Sequence, residues 1–540
     1  MKKTDLEIPF PKDRGFHYRL FEILPGALSW SVLLAPVILS LISPYITVFF
    51  IIGYLLLWFA KSIGLDVRAV QGYKMIKEHE KLDWQAMIEE LKRGSIETTD
   101  RPYWHYNNLN RILKNPVPIK PDDVIHAVII ATYKESREVL EPTIKSILAS
   151  NYDMKKVILI LAYEERGGVE IEINAQQLIQ DYGSQFLYAA AIKHPKDIPG
   201  EVIGKGGNIT FAGRALEKYV NEQKLYPLSV IVTTLDSDNR PHPNYLPALS
   251  YLYSVCNDPV TTSFQPVPMF TNNIWDAPAF MRVIATGNTF WMTVSSMRTH
   301  ALRNFSSHAQ TLQTLIDTNF WSVRTIVEDG HQYWRTYFRY NGKHDVFPVY
   351  VPIFQDAVLA KGYIRTLKAQ FIQLRRWAWG ASDIAYVVNL GFFTDNDIPK
   401  PNLIFKIMQL LEGHISWATA PFLLAFSAFI PAFFNPQNYA ADQLPIIVSR
   451  IQTLALAGIF ITLFFSLKTL PPRPTRYKKR RNILMVVQWV YLPLTTIVYN
   501  ALAGLNSQTR LMFGRYIDEF DVTEKAVVTT DDAGTKIVSS

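Results

Sequence analysis

No lysine, arginine, aspartate or glutamate occurs from Ile23 to Ala60, and Ser43-Pro44 falls in the middle of that stretch. At about 1.5 Å of rise per residue, its two halves make helices of about the minimum length that crosses a hydrocarbon core. Further uncharged blocks run Gly413–Ala441, Ile451–Leu467 and Asn482–Thr509. The chain has 540 residues, 49% hydrophobic and 19% charged, and the charge is confined to the segments between these blocks. So many long uncharged blocks are hard to hide in a water-soluble core, so the sequence predicts an integral membrane protein. The first block begins late and is followed at once by a second, which argues against a cleaved leader.

Lysine and arginine placement gives an orientation. The segment Asn435–Leu444 carries neither, whereas the next inter-block segment carries Lys468, Arg473, Arg476, Lys478, Lys479, Arg480 and Arg481. The basic segment is expected on the cytoplasmic side, near anionic headgroups, and the polar centre of the chain with it; the plasma (inner) membrane is the expected location. A solvated basic segment is a weak signal for nucleic acid, and no such partner is expected. The single cysteine, Cys256, leaves no disulfide framework or redox pair within one chain.

The polar centre reads as an α/β unit. Val124–Thr132 and Val157–Ala162 are continuous apolar runs suited to strands buried on both faces; Phe186–Ile192 and Leu228–Leu235 read as further strands. Helical sequence separates them, including Gly207–Val220, and this alternation predicts a mainly parallel sheet. The expected division is a hairpin over 1–65, a helical connector over 66–122, an α/β domain over 123–355, interface helices over 356–410, membrane or re-entrant helices over 411–510, and a tail over 511–540.

Ligands of parallel sheets sit beyond the carboxyl ends of strands, where Asp236-Ser237-Asp238 falls. Two carboxylates on alternate residues suit Mg²⁺ or Mn²⁺ bridging a diphosphate. Glu328-Asp329 follows the apolar pair Ile326 and Val327, and Asp329 is the candidate general base. In Gln373-Leu374-Arg375-Arg376-Trp377, Gln373 and Trp377 share a helix face, Arg376 can bind phosphate bidentately and Trp377 can stack on a sugar ring. Tyr133 and Glu135 close the first strand, where an aromatic ring can stack on a base. Gly204-Lys205-Gly206-Gly207 opens a helix where glycines would admit a phosphate and Lys205 would neutralise it. Each signature alone also has a bland reading: a solvated turn, an acidic helix start, an interfacial Arg/Trp helix, an ordinary loop.

Together, and in this order, the signatures resemble the membrane-embedded branch of family 2 glycosyltransferases that includes cellulose, chitin and hyaluronan synthases. The resemblance covers roughly residues 125–380 and the segment near Phe520. It implies an inverting enzyme with a GT-A (Rossmann-like) catalytic domain inserted between transmembrane helices. It implies a UDP-sugar donor, Mg²⁺ or Mn²⁺ held by Asp236 and Asp238, and Asp329, beside Glu328, as base. It places Tyr133, Glu135, Lys205, Asp236, Gln373 and Arg376 on the donor and Trp377 on the acceptor. Phe520, Val522, Thr523 and Lys525 match the gating loop of cellulose synthases. Two departures stand out: Val327 replaces a threonine, and the second strand ends Ala162-Tyr163-Glu164, so Glu164 stands in for the aspartate expected to hold uridine.

Five single spans would put the Phe520–Lys525 segment on the wrong side of the membrane. Asn482–Thr509, with Pro493 near its centre, is therefore expected not to cross but to form re-entrant or interfacial half-helices. The expected activity is processive transfer to a growing polysaccharide coupled to translocation. The alternatives are addition of one sugar to a lipid or other membrane acceptor, and a silent scaffold. A homo-oligomer or an accessory subunit is left open, as are the sugar and the linkage.

Overall fold

The computed structural model describes residues 5–517, 525–530 and 536–539. Its centre is an eight-stranded sheet of β1 (Ile125–Thr132), β2 (Val157–Glu164), β3 (Tyr188–His194), β4 (Val230–Asp236), β5 (Arg240–Pro241), β6 (Thr262–Met269), β7 (Ala309–Thr311) and β8 (Asp345–Phe354), in spatial order β3-β2-β1-β4-β7-β6-β8-β5. The four strands expected from the sequence are all present, and β3, β2, β1 and β4 are mutually parallel. The other half is mixed: β7 runs antiparallel to β4 and β6, and β5 antiparallel to β8. The short β5 and β7 lack a long apolar run, which is why no strand signal marks them in the sequence.

The apolar runs of β1 and β2 are buried on both faces, and their residues alternate between two cores. Val128, Ile130, Leu159 and Leu161 pack with Leu140, Ile144 and Leu178 on one face. Ala127, Ile129, Ile158 and Ile160 pack with Ile209, Leu216 and Trp321 on the other. Parallel pairing sets Ala131 opposite both Ala162 and Asp236. Tyr133, Glu164 and Asp236 are therefore delivered to one edge of the sheet by register alone.

Four helical segments among the described residues are long and apolar enough to cross a membrane: Phe16–Ile42, Pro44–His79, Tyr439–Thr469 and Arg480–Met512. The first two meet at Ser43, where Pro44 takes the first helical position and its missing N–H leaves no bond unmade. The second continues 36 residues to His79, well past its apolar part. The Gly413–Ala441 block is divided: a helix over Lys400–Phe426 begins in charged sequence, and a second one spans Phe429–Phe434. Ala428, Leu444 and Val448 pack on Val48, Ile51 and Leu55.

Arg480–Met512 departs from the expectation of two broken half-helices. It is a run of helical turns that includes a π-helical stretch over Thr496–Ala501. Pro493 lies in the first turn of the short Leu492–Thr495 helix, where its missing N–H is harmless. The start of this run donates from Arg481 to the Trp275 carbonyl (2.9 Å) and accepts from Arg282 at Gln488 (2.5 Å). Its end meets the start of the first helix. Arg19 donates to the carbonyls of Leu511 (2.7 Å) and Met512 (2.5 Å), filling acceptors that a helix end leaves open. Ser29 donates to Gln508 (2.6 Å), which donates on to the His414 carbonyl (2.8 Å).

This contact depends on Gly26. A Cβ there would lie 2.8 Å from the Gln508 carbonyl oxygen and 2.9 Å from Met512 Cβ, whereas one at Gly53 would meet nothing within 4 Å. Gly26→Ala is expected to destabilise the protein by about 1–3 kcal/mol, the usual overpacking cost, and Gly53→Ala, in mid-helix with room for a methyl, to leave it as stable or raise its stability by up to about 1 kcal/mol. Thermal unfolding of the two variants in detergent measures this.

Candidate active site

The candidate residues converge at the carboxyl ends of β1, β2 and β4, in the wall of one cavity of about 2380 Å³. At its centre Lys205 opens the Lys205–Glu222 helix. Its Nζ lies 2.9 Å from Asp236 Oδ1, 3.2 Å from Asp329 Oδ2 and 3.8 Å from Glu328 Oε1, with the side chain only 8% exposed. Burial disfavours the ammonium, but the Asp236, Asp329 and Glu328 carboxylates outweigh it and raise the lysine pKa. The same pairing, with Lys525, holds Asp236 below the usual carboxylate range against its own burial. Asp236 Oδ2 also accepts from Ser306 at 2.8 Å.

Lys205 was expected to neutralise a phosphate; here it ties three carboxylates together. The glycines beside it serve packing. A Cβ at Gly206 would lie 2.3 Å from the Ser322 carbonyl oxygen, and one at Gly207 2.6 Å from a Glu201 oxygen. Both faces of the turn are thus filled by protein, which corrects the reading of these glycines as a phosphate approach.

Glu328 is buried, and desolvation together with the neighbouring Asp329 pushes its pKa up to about 8, partly offset by Lys205. Asp329 is the more accessible of the pair, 18% exposed, and His308 Nδ1 lies 3.6 Å from it. That nitrogen is 2.9 Å from the Phe305 carbonyl, while Nε2 is 3.3 Å from Trp321 Nε1–H. The pattern assigns a neutral imidazole with its proton on Nδ1, and burial lowers the His308 pKa accordingly.

Asp238 forms a second node. Its Oδ1 accepts from Lys525 Nζ at 2.7 Å and its Oδ2 from the Asp356 backbone N–H at 3.1 Å. Lys525 Nζ also reaches Ser237 Oγ at 2.9 Å, and Ala526 N–H donates to the Leu359 carbonyl at 2.8 Å. The C-terminal segment is thereby pinned to the sheet edge. Phe520, Val522 and Thr523, the rest of the expected gating loop, lie outside the described residues. Asp356 Oδ1 is buried without a partner among the described residues, and burial plus the Asp238 charge raise the Asp356 pKa to about 7.

Five carboxyl groups thus face two ammonium groups here, and Glu328 and Asp356 are the two driven toward their neutral forms. No group of three or more His, Cys, Asp or Glu among the described residues is arranged to hold a metal by itself. Asp238 with the orphaned Asp356 oxygen is nevertheless the hard-oxygen pair that Mg²⁺ or Mn²⁺ uses when phosphate oxygens complete its shell. Asp356 was not singled out in the sequence, although it stands just beyond a buried strand, as Asp238 does.

On the other side of the cavity, Glu135 Oε2 accepts from Thr132 Oγ1 (2.8 Å), Tyr133 N (2.7 Å) and Lys134 N (3.2 Å), so it braces the loop that presents the Tyr133 ring. Glu164 is buried and shares His194 with Glu201: His194 Nδ1 is 3.1 Å from Glu164 and Nε2 3.0 Å from Glu201. Gln373, Arg376 and Trp377 line the cavity from the Tyr363–Ala378 helix, with Trp377 6.2 Å from the Phe270 ring. Gln373 Oε1 accepts from Gln370 at 3.1 Å.

No known family's sequence profile matches the chain, and neither does any curated protein. Among solved structures, it is similar to the mannosyltransferase PcManGT from Pyrobaculum calidifontis in complex with GDP-Man and Mn²⁺ (16% identity, 75% of this chain and 99% of that one, TM-score 0.41). It is also similar to S. aureus TarS 1-349 in complex with UDP-GlcNAc (9% identity, 77% and 97%, TM-score 0.35). A third is GalNAc-T7 with UDP, GalNAc and Mn²⁺ (10% identity, 54% and 58%, TM-score 0.32). The first is a mannosyltransferase by name and all three were solved with a nucleotide or nucleotide sugar; at TM-scores below 0.5 these likenesses do not say what this chain does.

The His194 node has a pH signature. Burial disfavours the imidazolium, but hydrogen bonds to Glu164 and Glu201 outweigh it and raise its pKa from 6.5 to about 9. A group whose pKa rises on folding stabilises the protein fully below the unfolded value and loses that contribution as pH climbs through the folded value. The thermal midpoint should therefore drop between pH 6.5 and 9, and His194→Gln should flatten that drop. Thermal unfolding across this pH range tests it.

Proposed function

We propose that the protein is an inverting, metal-dependent family 2 glycosyltransferase that moves a sugar from a UDP-sugar onto a growing polysaccharide and passes the product into the membrane. The observation that carries this reading is the continuity of the cavity. It joins Asp236, Asp238 and Asp329 at the strand ends to Trp58, Ser416, Trp417, Ser449, Gln452 and Thr453 on the apolar helices. Trp58, Ser449, Gln452 and Thr453 lie on Pro44–His79 and Tyr439–Thr469, which are apolar enough to span a membrane, and Ser416 and Trp417 on Lys400–Phe426; such hydroxyls, amides and indole rings suit a hydrated sugar chain, with rings for its apolar faces.

In the proposed reaction, the acceptor hydroxyl oxygen bonds to the anomeric carbon as that carbon's bond to the diphosphate oxygen breaks. The bonding pair leaves on UDP, and the hydroxyl proton passes to Asp329. Lys205 holds Asp329 in place and adds positive charge beside the breaking bond. Tyr133 would stack on the base, Glu164 would accept from it, and Gln373 and Arg376 would meet the diphosphate while Trp377 carries the acceptor ring. Mg²⁺ or Mn²⁺, held by Asp238, Asp356 and Asp236, would offset charge on the leaving diphosphate.

The sheet domain then belongs on the cytoplasmic side, where UDP-sugars are available. Both ends of Arg480–Met512 touch elements on the side of the sheet, and Lys525 reaches Asp238. This supports a segment that lies along the membrane face instead of crossing it, on the side from which Lys525 reaches the site.

Asp329→Asn is expected to abolish UDP release from the UDP-sugar that the wild type turns over while leaving UDP affinity within about threefold; equal loss of both contradicts its role as base. Asp356→Asn should raise the Mn²⁺ concentration for half-maximal turnover about tenfold, within the range seen when ligands of a metal site are disturbed. Product length separates polymer synthesis from single addition to a lipid: a lone transferred sugar overturns the processive reading.

A further inference from the structure

The proposed reaction uses the carboxylates at the strand ends. It leaves unexplained three arginines elsewhere in the wall of the same cavity: Arg68, Arg298 and Arg303. None makes an ion pair with a carboxylate among the described residues. The Arg303 guanidinium sits 4.6 Å from the centre of the Trp334 ring and 5.7 Å from that of Tyr333, with no hydrogen bond among the described residues. Burial lowers its pKa. Arg68 donates only to the Gly64 carbonyl of its own helix (3.0 Å).

The acids nearby are already committed. Glu412, near Arg298, accepts from Lys61 at 2.5 Å and Ser416 at 2.8 Å. Asp383 is held by the buried His331 at 2.7 Å. Of the three, Arg303 is the one whose charge burial disfavours, with Asp383 acting on it only through space; a desolvated cation without a direct carboxylate partner is costly, and the cost is relieved when an anion enters.

We propose that the sugar chain occupying this cavity is acidic, carrying carboxylates as uronic acid residues do, and that Arg303, Arg298 and Arg68 pair with them. This rests on the polysaccharide reading above. A guanidinium matches a carboxylate bidentately, and several separate arginines let an advancing chain exchange one partner for the next without ever leaving its charge bare. A lipid phosphate is the other source of negative charge. Ser449 and Asn500 in the same wall, whose side chains have no partner among the described residues, disfavour it, because an acyl tail gives them nothing to bond with; Gln452 and Thr453 already donate to the Leu424 and Ser449 carbonyls.

The test is binding of two labelled hexasaccharides, one polyglucuronate and one neutral glucan, to the full-length protein in nanodiscs, with undecaprenyl phosphate as a third probe. The expected result is at least about tenfold tighter binding of the polyglucuronate at low salt, reduced by high salt and by Arg303→Gln, and restored in part by Arg303→Lys. Arg298→Gln serves as a second variant should Arg303→Gln fail to fold, and it should weaken the preference in the same direction. Equal or tighter binding of the neutral glucan, with UDP release intact, overturns the acidic product and leaves the synthase reading standing. Arg303-dependent binding of undecaprenyl phosphate alone overturns it in favour of a lipid acceptor. No binding of either hexasaccharide, with no release from any UDP-sugar, overturns both readings.

Discussion

One ammonium group organises the centre of this molecule. Lys205 Nζ gathers carboxylates from the end of β4 and from the start of the Glu328–Arg339 helix, elements far apart in the chain. Removing the lysine charge would leave Asp236, Asp329 and Glu328 crowded in a poorly solvated space, where like charges force at least one to protonate. With it present, Asp236 stays ionised and Glu328 becomes the group driven toward neutrality. The position of Lys205 is fixed in turn by two glycines packed so closely that no side chain fits.

A second lysine does comparable work for Asp238. Lys525 comes from the far end of the chain, beyond all the apolar helices, and its short backbone pairing with Leu359 brings it to the sheet edge. The two nodes are adjacent along Asp236-Ser237-Asp238, so the charge state of the strand end depends on a residue from the domain and on one from the tail. A divalent cation entering there must displace these ammonium groups from the carboxylates, whereas a diphosphate must compete with the carboxylates for the ammonium groups.

The helices connect to this centre by specific polar contacts as well as apolar packing. Arg19 caps the end of Arg480–Met512, and Ser29, Gln508 and the His414 carbonyl form a chain across three helices. Such contacts are directional, so they fix how the apolar helices sit against one another, and thereby the shape of the cavity that the helices share with the sheet.

Much was legible in the sequence because it depends on local pattern. Continuous apolar runs mark β1 to β4, since strands buried on both faces have no polar face to alternate with. Long uncharged blocks mark the apolar helices, since lipid tolerates little else. Asp236, Asp238 and Asp329 were legible as candidates because they stand at the ends of apolar runs, where a parallel sheet presents its strand ends. What only the tertiary structure decided is partnership. Nothing near Lys205 in sequence says that it binds carboxylates instead of phosphate. Nothing marks Asp356 as the neighbour of Asp238, or His194 as the link between Glu164 and Glu201, and nothing around Pro493 says that the helical turns continue through it. These depend on contacts between residues tens to hundreds of positions apart, and electrostatics and close packing act through space, which a linear pattern does not record.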